Sequence, residues 1–276
     1  MNILDKSVVG EQEGTRITAL KIYAPDIAAK AKPGQFLVLM TRESGERIPL
    51  TIVDRNDPAG SVTVIFQEVG LTTRILGRLK TGDSLYAVVG PLGHATHIKK
   101  YGRVIIVGGG VGIAEIYPVA RAFKAAGNHV TVIIGSRTKS LLLLEKELST
   151  AADELHVTTD DGSYGKKAFT TDVLAGLLSR GRYDLVYAVG PIPMMRKVST
   201  VTKASKTKTV VSLNAVMVDG TGMCGSCRVT VGGRTMFSCV DGPEFDGHDV
   251  DWDELTKRNN IYQDKEKHIC RLNGLA

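Results

Sequence analysis

The sequence predicts a multidomain protein of the β plus α/β class: an antiparallel β-barrel, then a parallel-sheet Rossmann-like domain, then a small C-terminal lobe. Three observations predict this order. Short alternations of apolar and polar residues fill the first third of the chain. A continuous apolar segment, a glycine-rich turn and a helical pattern follow. Three of the four cysteines are concentrated in one short segment, residues 224–239, in the last quarter of the chain. The predicted domains cover residues 1–98, 99–212 and 213–276.

Composition limits the classes of protein to consider. The chain has 276 residues, 43% of them hydrophobic and 23% charged, which is ordinary for a globular protein with two or three cores. Its net charge is +6, but aromatic residues make up only 5% and the lysines are scattered, so nucleic-acid binding is not expected. The denser basic run at residues 197–208 is interpreted as a solvated face or a patch for an acidic protein partner.

Membrane insertion and secretion are not expected either. No apolar run approaches the ~18 residues that a membrane span requires, and the N-terminus lacks a signal-peptide pattern. The cysteines are clustered, with no paired framework elsewhere in the chain. This usage favours a reducing compartment, and the predicted location is the cytoplasm.

The first domain contains apolar runs at residues 36–40 and 62–66, separated by turn residues, which is typical of a barrel or sandwich. It also contains the parts that a flavin requires. These are a cation and helix-terminal amides for the pyrophosphate, an apolar wall for the ring, and a hydroxyl or amide donor near the reactive nitrogen. The candidates in this domain are Arg47, Pro49, Leu50, Thr51, Gly70 and Thr73.

The second domain begins with a βαβ pattern. The apolar residues 104–107 precede a glycine-rich turn, and a helix and a second strand, 130–134, follow. Glycine there lets the backbone approach a pyrophosphate at the helix N-terminus, although it also permits tight strand-to-helix packing without any ligand. The candidate residues are Gly108, Gly109, Gly110 and Gly112. Further helices are predicted at 141–148, 171–179 and 194–204, with a strand from residue 185.

The choice between NADH and NADPH stays open at this point. An acidic residue that would hold the adenosine ribose is missing from the end of the second strand. Arg137 follows that strand and could favour a 2′-phosphate, or could simply be a surface arginine.

The third segment has the spacing of a metal or cluster site. Cys224 and Cys227 are separated by two residues and can reach one ion or cluster, and Cys239 returns twelve residues later. The fourth ligand is Asp219, Cys270 or solvent. An iron–sulfur cluster is preferred, and structural zinc is the alternative. Tight folding of the loop is expected from Gly220, Gly222 and Gly225.

The order of these motifs, with Gly90-Pro-Leu-Gly93 and Gly190-Pro191-x-x-Met194 between them, resembles the ferredoxin-NADP reductase superfamily. The cysteine lobe resembles two groups within it. One comprises the electron-transfer subunits of dihydroorotate dehydrogenase, and the other the small subunits of NADH-dependent reduced ferredoxin:NADP oxidoreductases. The spacing Asp219-x4-Cys224-x2-Cys227-x11-Cys239 is more similar to the second group, because the first carries cysteine at the position of Asp219.

The resemblance implies a role for each candidate. Thr51 would lie near the flavin ring, Gly70 and Thr73 would hold the FAD phosphates, and the turn at 108–112 would receive the dinucleotide. The nicotinamide would be bordered by Gly190 and Pro191. The ligands of a [2Fe–2S] cluster would be Asp219, Cys224, Cys227 and Cys239. The chain departs from the family at two of these positions: Ile48 stands where the family has arginine, with Arg47 just before it, and Leu50 replaces a stacking aromatic, so packing against the ring would be aliphatic.

The implied activity is flavin-dependent NAD(P)H oxidoreduction, in which FAD exchanges hydride with NAD(H) and the cluster passes single electrons to a larger flavin and iron–sulfur catalytic subunit. Ferredoxin would interact through that larger subunit, in an electron-bifurcating complex. The alternative enzyme is the electron-transfer subunit of dihydroorotate dehydrogenase. An alternative of another class is a regulator or scaffold that keeps the fold without cofactors.

Overall fold

The computed structural model describes residues 1–272. The N-terminal part consists of two antiparallel sheets that share one apolar core. Its elements are β1 (Ile3–Gln12), β2 (Thr15–Tyr23), α1 (Pro25–Lys30), β3 (Phe36–Met40), β4 (Ile48–Thr51), β5 (Asp54–Asn56), β6 (Ser61–Gln67), α2 (Leu71–Arg78) and β7 (Ala87–Leu92). The sheet orders are β1-β2-β6-β5 and β4-β3-β7. Inward side chains such as Leu20, Leu37 and Val64 are fully buried between them, so the predicted antiparallel barrel is confirmed.

The central part is a seven-stranded sheet with helices packed against it. Its elements are β8 (Arg103–Gly109), α3 (Gly112–Ala125), β9 (His129–Ser136), α4 (Glu145–Ala151), β10 (Glu154–Thr159), β11 (Lys166–Lys167), α5 (Thr170–Arg180), β12 (Leu185–Val189), α6 (Ile192–Ala204) and β13 (Thr209–Ser212). The order is β11-β10-β9-β8-β12-β13, followed by β16 (Glu244–Asp246) from the C-terminal part, and the first six strands run parallel. The predicted Rossmann-like domain is confirmed, because strands buried on both faces are covered by helices.

The prediction of a helix at residues 141–148 is wrong for the first half of that range. Residues 139–141 form a 3-10 turn, and Leu144 adopts a left-handed conformation with φ of 51° before α4 begins at Glu145. Leu141 and Leu143 are nevertheless buried. Their apolar character reflects packing of an irregular segment onto the core, which periodicity alone does not separate from a helix.

The C-terminal part contains β14 (Arg228–Val231), β15 (Arg234–Phe237), β16 (Glu244–Asp246), α7 (Trp252–Asn260) and α8 (Gln263–Leu272). β14 and β15 form a hairpin. β16 pairs antiparallel with β13 and so extends the sheet of the preceding part, with Phe245 opposite Val211. The cysteine segment therefore shares a core with the nucleotide domain, although it follows the predicted boundary at residue 213.

A buried carboxylate joins the three parts. Glu244 accepts hydrogen bonds from Thr96 Oγ1 at 2.5 Å and from the Tyr187 hydroxyl at 2.8 Å. Burial raises the pKa of Glu244, and the two hydrogen bonds oppose that rise. Thr96 follows the barrel, Tyr187 lies on β12 and Glu244 on β16, so one side chain fixes the mutual positions of all three parts. Among the described residues, no helix is both long and apolar enough to cross a membrane.

Candidate functional site

The glycines of the turn between β8 and α3 are of two kinds: two are packed against neighbouring segments, and one has open space around it. A Cβ at Gly108 would lie 3.0 Å from Ile113 Cα, and one at Gly112 would lie 2.5 Å from the Val189 carbonyl oxygen. These two glycines allow close packing of strand and helix. A Cβ at Gly110 would meet nothing within 4 Å, and its φ is +57°. Gly110 is therefore the glycine whose backbone is accessible to a ligand.

A cleft of about 470 Å³ opens at this turn, between the barrel and the parallel sheet. Four of the predicted residues, Gly109, Gly110, Arg137 and Pro191, line it. Other lining residues come from both domains and include Thr15, Gln67, Asp160, Phe169, Met194 and Lys197. The cleft lies beyond the carboxyl ends of β8 and β9, where open parallel sheets bind ligands.

Gly190 and Pro191 close one side of this cleft through tight packing. A Cβ at Gly190 would lie 2.6 Å from Met194 Cε and 3.1 Å from the Gly109 carbonyl oxygen. One at Gly109 would lie 2.4 Å from Met194 Sδ. The two glycine segments approach each other closely because both lack a side chain, and Met194 fills the remaining space.

The predicted flavin neighbour Thr51 lies at the junction of barrel and helix. Its hydroxyl donates to Glu115 Oε2 at 3.0 Å, which links the end of β4 to the first turn of α3. Burial raises the pKa of Glu115 to about 7, and the hydrogen bond from Thr51 partly offsets that effect. Sequence reasoning missed Glu115, although an acid in the first turn after a glycine-rich loop was a usable signal.

The other predicted flavin residues surround the N-terminus of α2. The Thr73 hydroxyl accepts from the Gly70 backbone N–H at 3.0 Å and caps the helix, and a Cβ at Gly70 would meet open space. Thr72, which was not predicted, donates to the Glu46 carboxylate. The N-terminal amides of a helix favour an anion such as a phosphate, and in this structure the Glu46 carboxylate lies near that end of α2. Arg47 is exposed just before β4, and Pro49 and Leu50 lie half-buried on that strand.

The β14–β15 hairpin brings two of the cysteines together. The pairing of Arg228 with Phe237 places Cys227 and Cys239 side by side, with their sulfurs 3.2 Å apart. Both are buried. Cys224 is exposed, and its sulfur accepts from the Ser226 N–H at 3.5 Å. The loop relies on left-handed glycine conformations, as expected, at Gly220, Gly222 and Gly225.

The predicted fourth ligand, Asp219, closes the cysteine loop from within. Its carboxylate accepts from the Thr221 N–H at 2.8 Å and the Cys224 N–H at 2.7 Å, and these bonds lower the pKa of Asp219. Within the described part of the chain, no three His, Cys, Asp or Glu side chains converge into a complete metal site. The structure therefore pairs Cys227 with Cys239 and leaves Cys224 and Asp219 in the adjoining loop. Cys270, the other candidate, is half-buried on α8.

The chemistry of the thiol pair suits a positively charged centre. Burial and the neighbouring Cys227 sulfur raise the pKa of Cys239 to about 12. Two buried sulfurs in contact cannot both ionise without a nearby cation, whereas a metal or cluster deprotonates its thiol ligands. Cys224 has a lowered pKa, because the Ser226 hydrogen bonds stabilise its thiolate. The donor set fits an iron–sulfur cluster at the base of the hairpin.

The cysteine loop packs against the barrel. A Cβ at Gly220 would lie 2.7 Å from Val38 Cγ2 and 3.3 Å from Leu92 Cδ1, on β3 and β7. Gly93, at the end of the Gly90-Pro-Leu-Gly93 motif, also lies close to the lobe, since a Cβ there would lie 2.9 Å from Pro243 Cδ. Glycines on both sides thus permit close contact between the lobe and the barrel.

Two family models match this chain. Residues 106–200 match the oxidoreductase NAD-binding domain, which covers the glycine turn and most of the cleft. Residues 214–251 match the iron–sulfur cluster binding domain of dihydroorotate dehydrogenase B, which covers Asp219 and the three clustered cysteines. These matches, with the fold, confirm the predicted cofactor classes: FAD, NAD(H) and an iron–sulfur cluster.

Similar proteins span nearly the same length. A dihydroorotate dehydrogenase B electron transfer subunit homolog from Thermotoga maritima is 48% identical, over 89% of this chain and 87% of that protein. A probable electron transfer subunit of the same enzyme from Methanopyrus kandleri is 33% identical, over 86% and 88%. The solved structure of the NADH-dependent reduced ferredoxin-NADP oxidoreductase, described as giving insights into flavin-based electron bifurcation, contains a similar chain. That chain is 44% identical to this one. That match covers 100% of this chain and 98% of the other, with a TM-score of 0.93. The chain therefore belongs to the electron-transfer subunit family of the ferredoxin-NADP reductase superfamily, which includes the electron transfer subunits of dihydroorotate dehydrogenase B.

Proposed function

We propose that this chain exchanges hydride with NAD(H) through FAD and passes single electrons, through a [2Fe–2S] cluster, to a larger catalytic subunit. The observation that carries the proposal is the position of the barrel between two other sites. Thr15 and Gln67 of the barrel line the dinucleotide cleft, whereas Val38 and Leu92 of the barrel contact the cysteine loop. A flavin held by the barrel would be adjacent to both.

The barrel residues provide binding and orientation. Leu50 and Pro49 offer an aliphatic wall, Thr51 offers a hydroxyl that Glu115 holds in place, and Gly70 with Thr73 presents the amides of α2 to the pyrophosphate. Bound FAD would supply the conversion of a two-electron hydride donor into single-electron transfers. Arg47 is exposed beside this site and would contribute positive charge.

The cleft residues provide the dinucleotide site. Gly110 allows backbone approach to the pyrophosphate, and Gly108 and Gly112 keep α3 close enough for its N-terminus to contribute. Gly190 and Pro191 would border the nicotinamide, with Gly109 packed against the same Met194 side chain. These residues exclude water and position the ring.

The lobe residues would hold the cluster. Cys227 and Cys239 would supply two thiolates from the base of the hairpin, while Cys224 and Asp219 would complete the set from the glycine loop. A carboxylate is a harder donor than a thiolate, so an aspartate ligand is expected to alter the potential of the cluster.

We infer that the complex is an electron-bifurcating NADH, ferredoxin and NADP oxidoreductase, with ferredoxin bound through the larger subunit. The full-length similarity to a chain of such an oxidoreductase supports this assignment, as does aspartate at position 219. The second candidate is the electron-transfer subunit of dihydroorotate dehydrogenase B, which the similarity to the Thermotoga maritima protein favours.

Anaerobic purification with any co-purifying subunit tests the proposal. We expect bound FAD, equal amounts of iron and acid-labile sulfide, and visible absorbance that NADH bleaches. Colourless protein would support the regulator or scaffold alternative, and zinc without sulfide would support a structural metal site. Reduction of orotate by the complex would favour dihydroorotate dehydrogenase, whereas coupled reduction of ferredoxin and NADP would favour bifurcation.

A further inference from the structure

The helix α7 lies against the cysteine hairpin and is fixed there at its first turn. The side chain of Asp251 caps the helix by accepting two backbone N–H groups of that turn, at 2.9 and 3.1 Å. The Asp251 N–H in turn donates to the Thr230 carbonyl of β14 at 2.9 Å. Leu255 is buried in the same core as Cys227 and Cys239. The helix therefore has a defined position beside the hairpin that brings the two buried sulfurs together.

The last turn of α7 carries two side chains that bond the cysteine segment. Arg258 donates from Nη2 to the Ser226 carbonyl at 2.9 Å, and Asn259 donates from Nδ2 to the Asn214 carbonyl at 2.9 Å. Both residues are half-buried. Ser226 lies within the Cys-x-x-Cys motif, and Asn214 lies before the glycine loop. One helix thus holds the segment both where it leaves the nucleotide domain and inside the motif.

A second arginine bonds the neighbouring carbonyl of the motif. Arg228 is exposed at the start of β14, and its Nη1 donates to the Gly225 carbonyl at 3.4 Å. On the other side of the same peptide, the Ser226 N–H donates to the Cys224 sulfur at 3.5 Å. The C=O and N–H of a trans peptide point in opposite directions. A guanidinium that binds the carbonyl therefore favours an N–H that faces the sulfur. The carbonyls of both residues between the two cysteines are bound by arginine.

The charge of these arginines complements the donors of the lobe. The proposed ligand set, three thiolates and the Asp219 carboxylate, is entirely anionic, and accumulated negative charge disfavours the addition of an electron. A guanidinium is always charged and has no acceptor atom, and its hydrogen bonds are stronger than those of neutral donors. Nearby charge and hydrogen bonds to sulfur both set the potential of an iron–sulfur centre. A cation held at the motif therefore favours the reduced form.

We propose that Arg258 is a positioning residue for the cluster, which fixes the Ser226 peptide between Cys224 and Cys227 and makes the cluster easier to reduce. The inference rests on the proposed function, since it assumes that the cysteine loop holds a redox-active cluster. Arg258 has the larger role of the two arginines, because its hydrogen bond is shorter and its side chain is half-buried. Arg228 is exposed, so solvent screens its charge more strongly.

The test compares Arg258→Gln with Lys257→Gln in the full chain, purified anaerobically with its cofactors and any bound partner. Each variant removes one positive charge from α7, and Lys257 is an exposed neighbour. Spectroelectrochemistry gives the reduction potential of the cluster. We expect Arg258→Gln to lower the equilibrium constant for one-electron reduction about tenfold, which is a shift of about 59 mV to more negative potential. Lys257→Gln should change that constant less than about twofold.

A conservative variant and iron analysis separate the role of Arg258 from general damage. Arg258→Lys keeps the charge and a donor, so its equilibrium constant for reduction should stay within about threefold of the wild type. Arg258→Gln should release iron to a chelator about tenfold faster than the wild type, because a residue that orients the ligands is lost. Arg258→Lys should reverse most of that change. If Arg258→Gln retains no cluster, Arg228→Gln carries the test, with an expected two- to threefold fall in the same equilibrium constant.

Several results would overturn the inference. One is an unchanged potential in Arg258→Gln, and another is an equal shift in Lys257→Gln, which would indicate a general effect of charge. An unchanged potential in Arg228→Gln would do the same where Arg258→Gln holds no cluster. A wild-type protein without iron and sulfide would contradict the proposed function itself. A wild-type protein whose cluster ignores these substitutions would contradict only the role of Arg258.

Discussion

The dinucleotide cleft and the cysteine lobe reach their chemistry by different routes. The cleft is built by strands that are buried along almost their whole length, with β8, β9 and β12 at the centre of a seven-stranded sheet. The lobe has a hairpin of two four-residue strands and a loop of left-handed glycines. The cleft is formed by the fold itself, whereas the cysteine loop brings two sulfurs into contact and, within the described residues, places no third metal-ligating side chain beside them. Regular secondary structure preorganises a site, and a short loop depends on its ligand.

The largest expected effect is the loss of bound iron and sulfide from the cysteine lobe, with the dinucleotide cleft left intact. Cys239→Ser removes one of the two buried sulfurs, so we expect at least a tenfold loss of bound iron and sulfide, with NAD⁺ affinity unchanged within about threefold. Cys270→Ser is the matched control and should keep its iron. Metal analysis and calorimetry of both purified variants provide the measurement. Equal loss of iron in the two variants would contradict the proposal that Asp219, and not Cys270, supplies the fourth ligand.

A second variant should damage the nucleotide domain. Gly112→Ala places a Cβ 2.5 Å from the Val189 carbonyl oxygen, so we expect a loss of about 2–3 kcal/mol in the free energy of unfolding. Gly176→Ala is the control on α5, where the added methyl meets nothing within 4 Å and should stabilise the chain by about 0.5–1 kcal/mol. Urea denaturation of both apoproteins gives the values. A neutral Gly112→Ala would contradict the close packing of α3 on β12.

The stability of the folded chain should depend on pH through Glu115, which lies at the junction of the barrel and α3 and not in the cysteine lobe. The pKa of Glu115 is about 7 in the folded chain, against an ordinary value of 4.5, so between these pH values the folded state binds a proton that the unfolded state has lost. Stability therefore falls as pH rises through this window, by at most about 3 kcal/mol.

Glu115→Gln removes this titration, so the apoprotein variant should gain stability relative to the wild type as pH rises from about 4.5 to 7. Denaturation curves at several pH values measure the difference. Thr51→Val keeps the carboxylate but removes the hydrogen bond that lowers its pKa, so the fall in stability should extend to higher pH than in the wild type. Parallel curves for wild type and Glu115→Gln would show that Glu115 does not titrate in this range.

The smallest expected effect sharpens the assignment of the fourth ligand. Asp219→Cys should keep the cluster and shift its reduction potential, because a softer thiolate replaces a carboxylate. Spectroelectrochemistry of the anaerobic protein measures the shift, and NAD⁺ affinity serves as the internal control for the cleft. An unchanged spectrum and potential would mean that Asp219 closes the loop through its backbone hydrogen bonds and does not bind the cluster.

Several features could be predicted from the sequence because they are local. Apolar alternation predicted the barrel strands, and the cysteine spacing indicated that Cys227 and Cys239 come together. The continuous apolar strand before Gly108 indicated the parallel sheet. Other features could not be predicted. β16 is only three residues long, and its place beside β13 depends on packing of the whole C-terminal segment.

The sequence by itself determined the order of the domains, the glycine-rich turn and the cysteine spacing, because strand periodicity, glycine conformation and ligand reach act over a few residues. The tertiary structure decided which glycine is open to the cleft and which ones permit packing, since a Cβ at Gly110 would meet nothing while Gly108 and Gly112 meet neighbouring segments. It also brought Glu115 to Thr51 and Arg258 to Ser226. Contacts between residues distant in the chain depend on how buried strands and helices pack, and no local pattern encodes that arrangement.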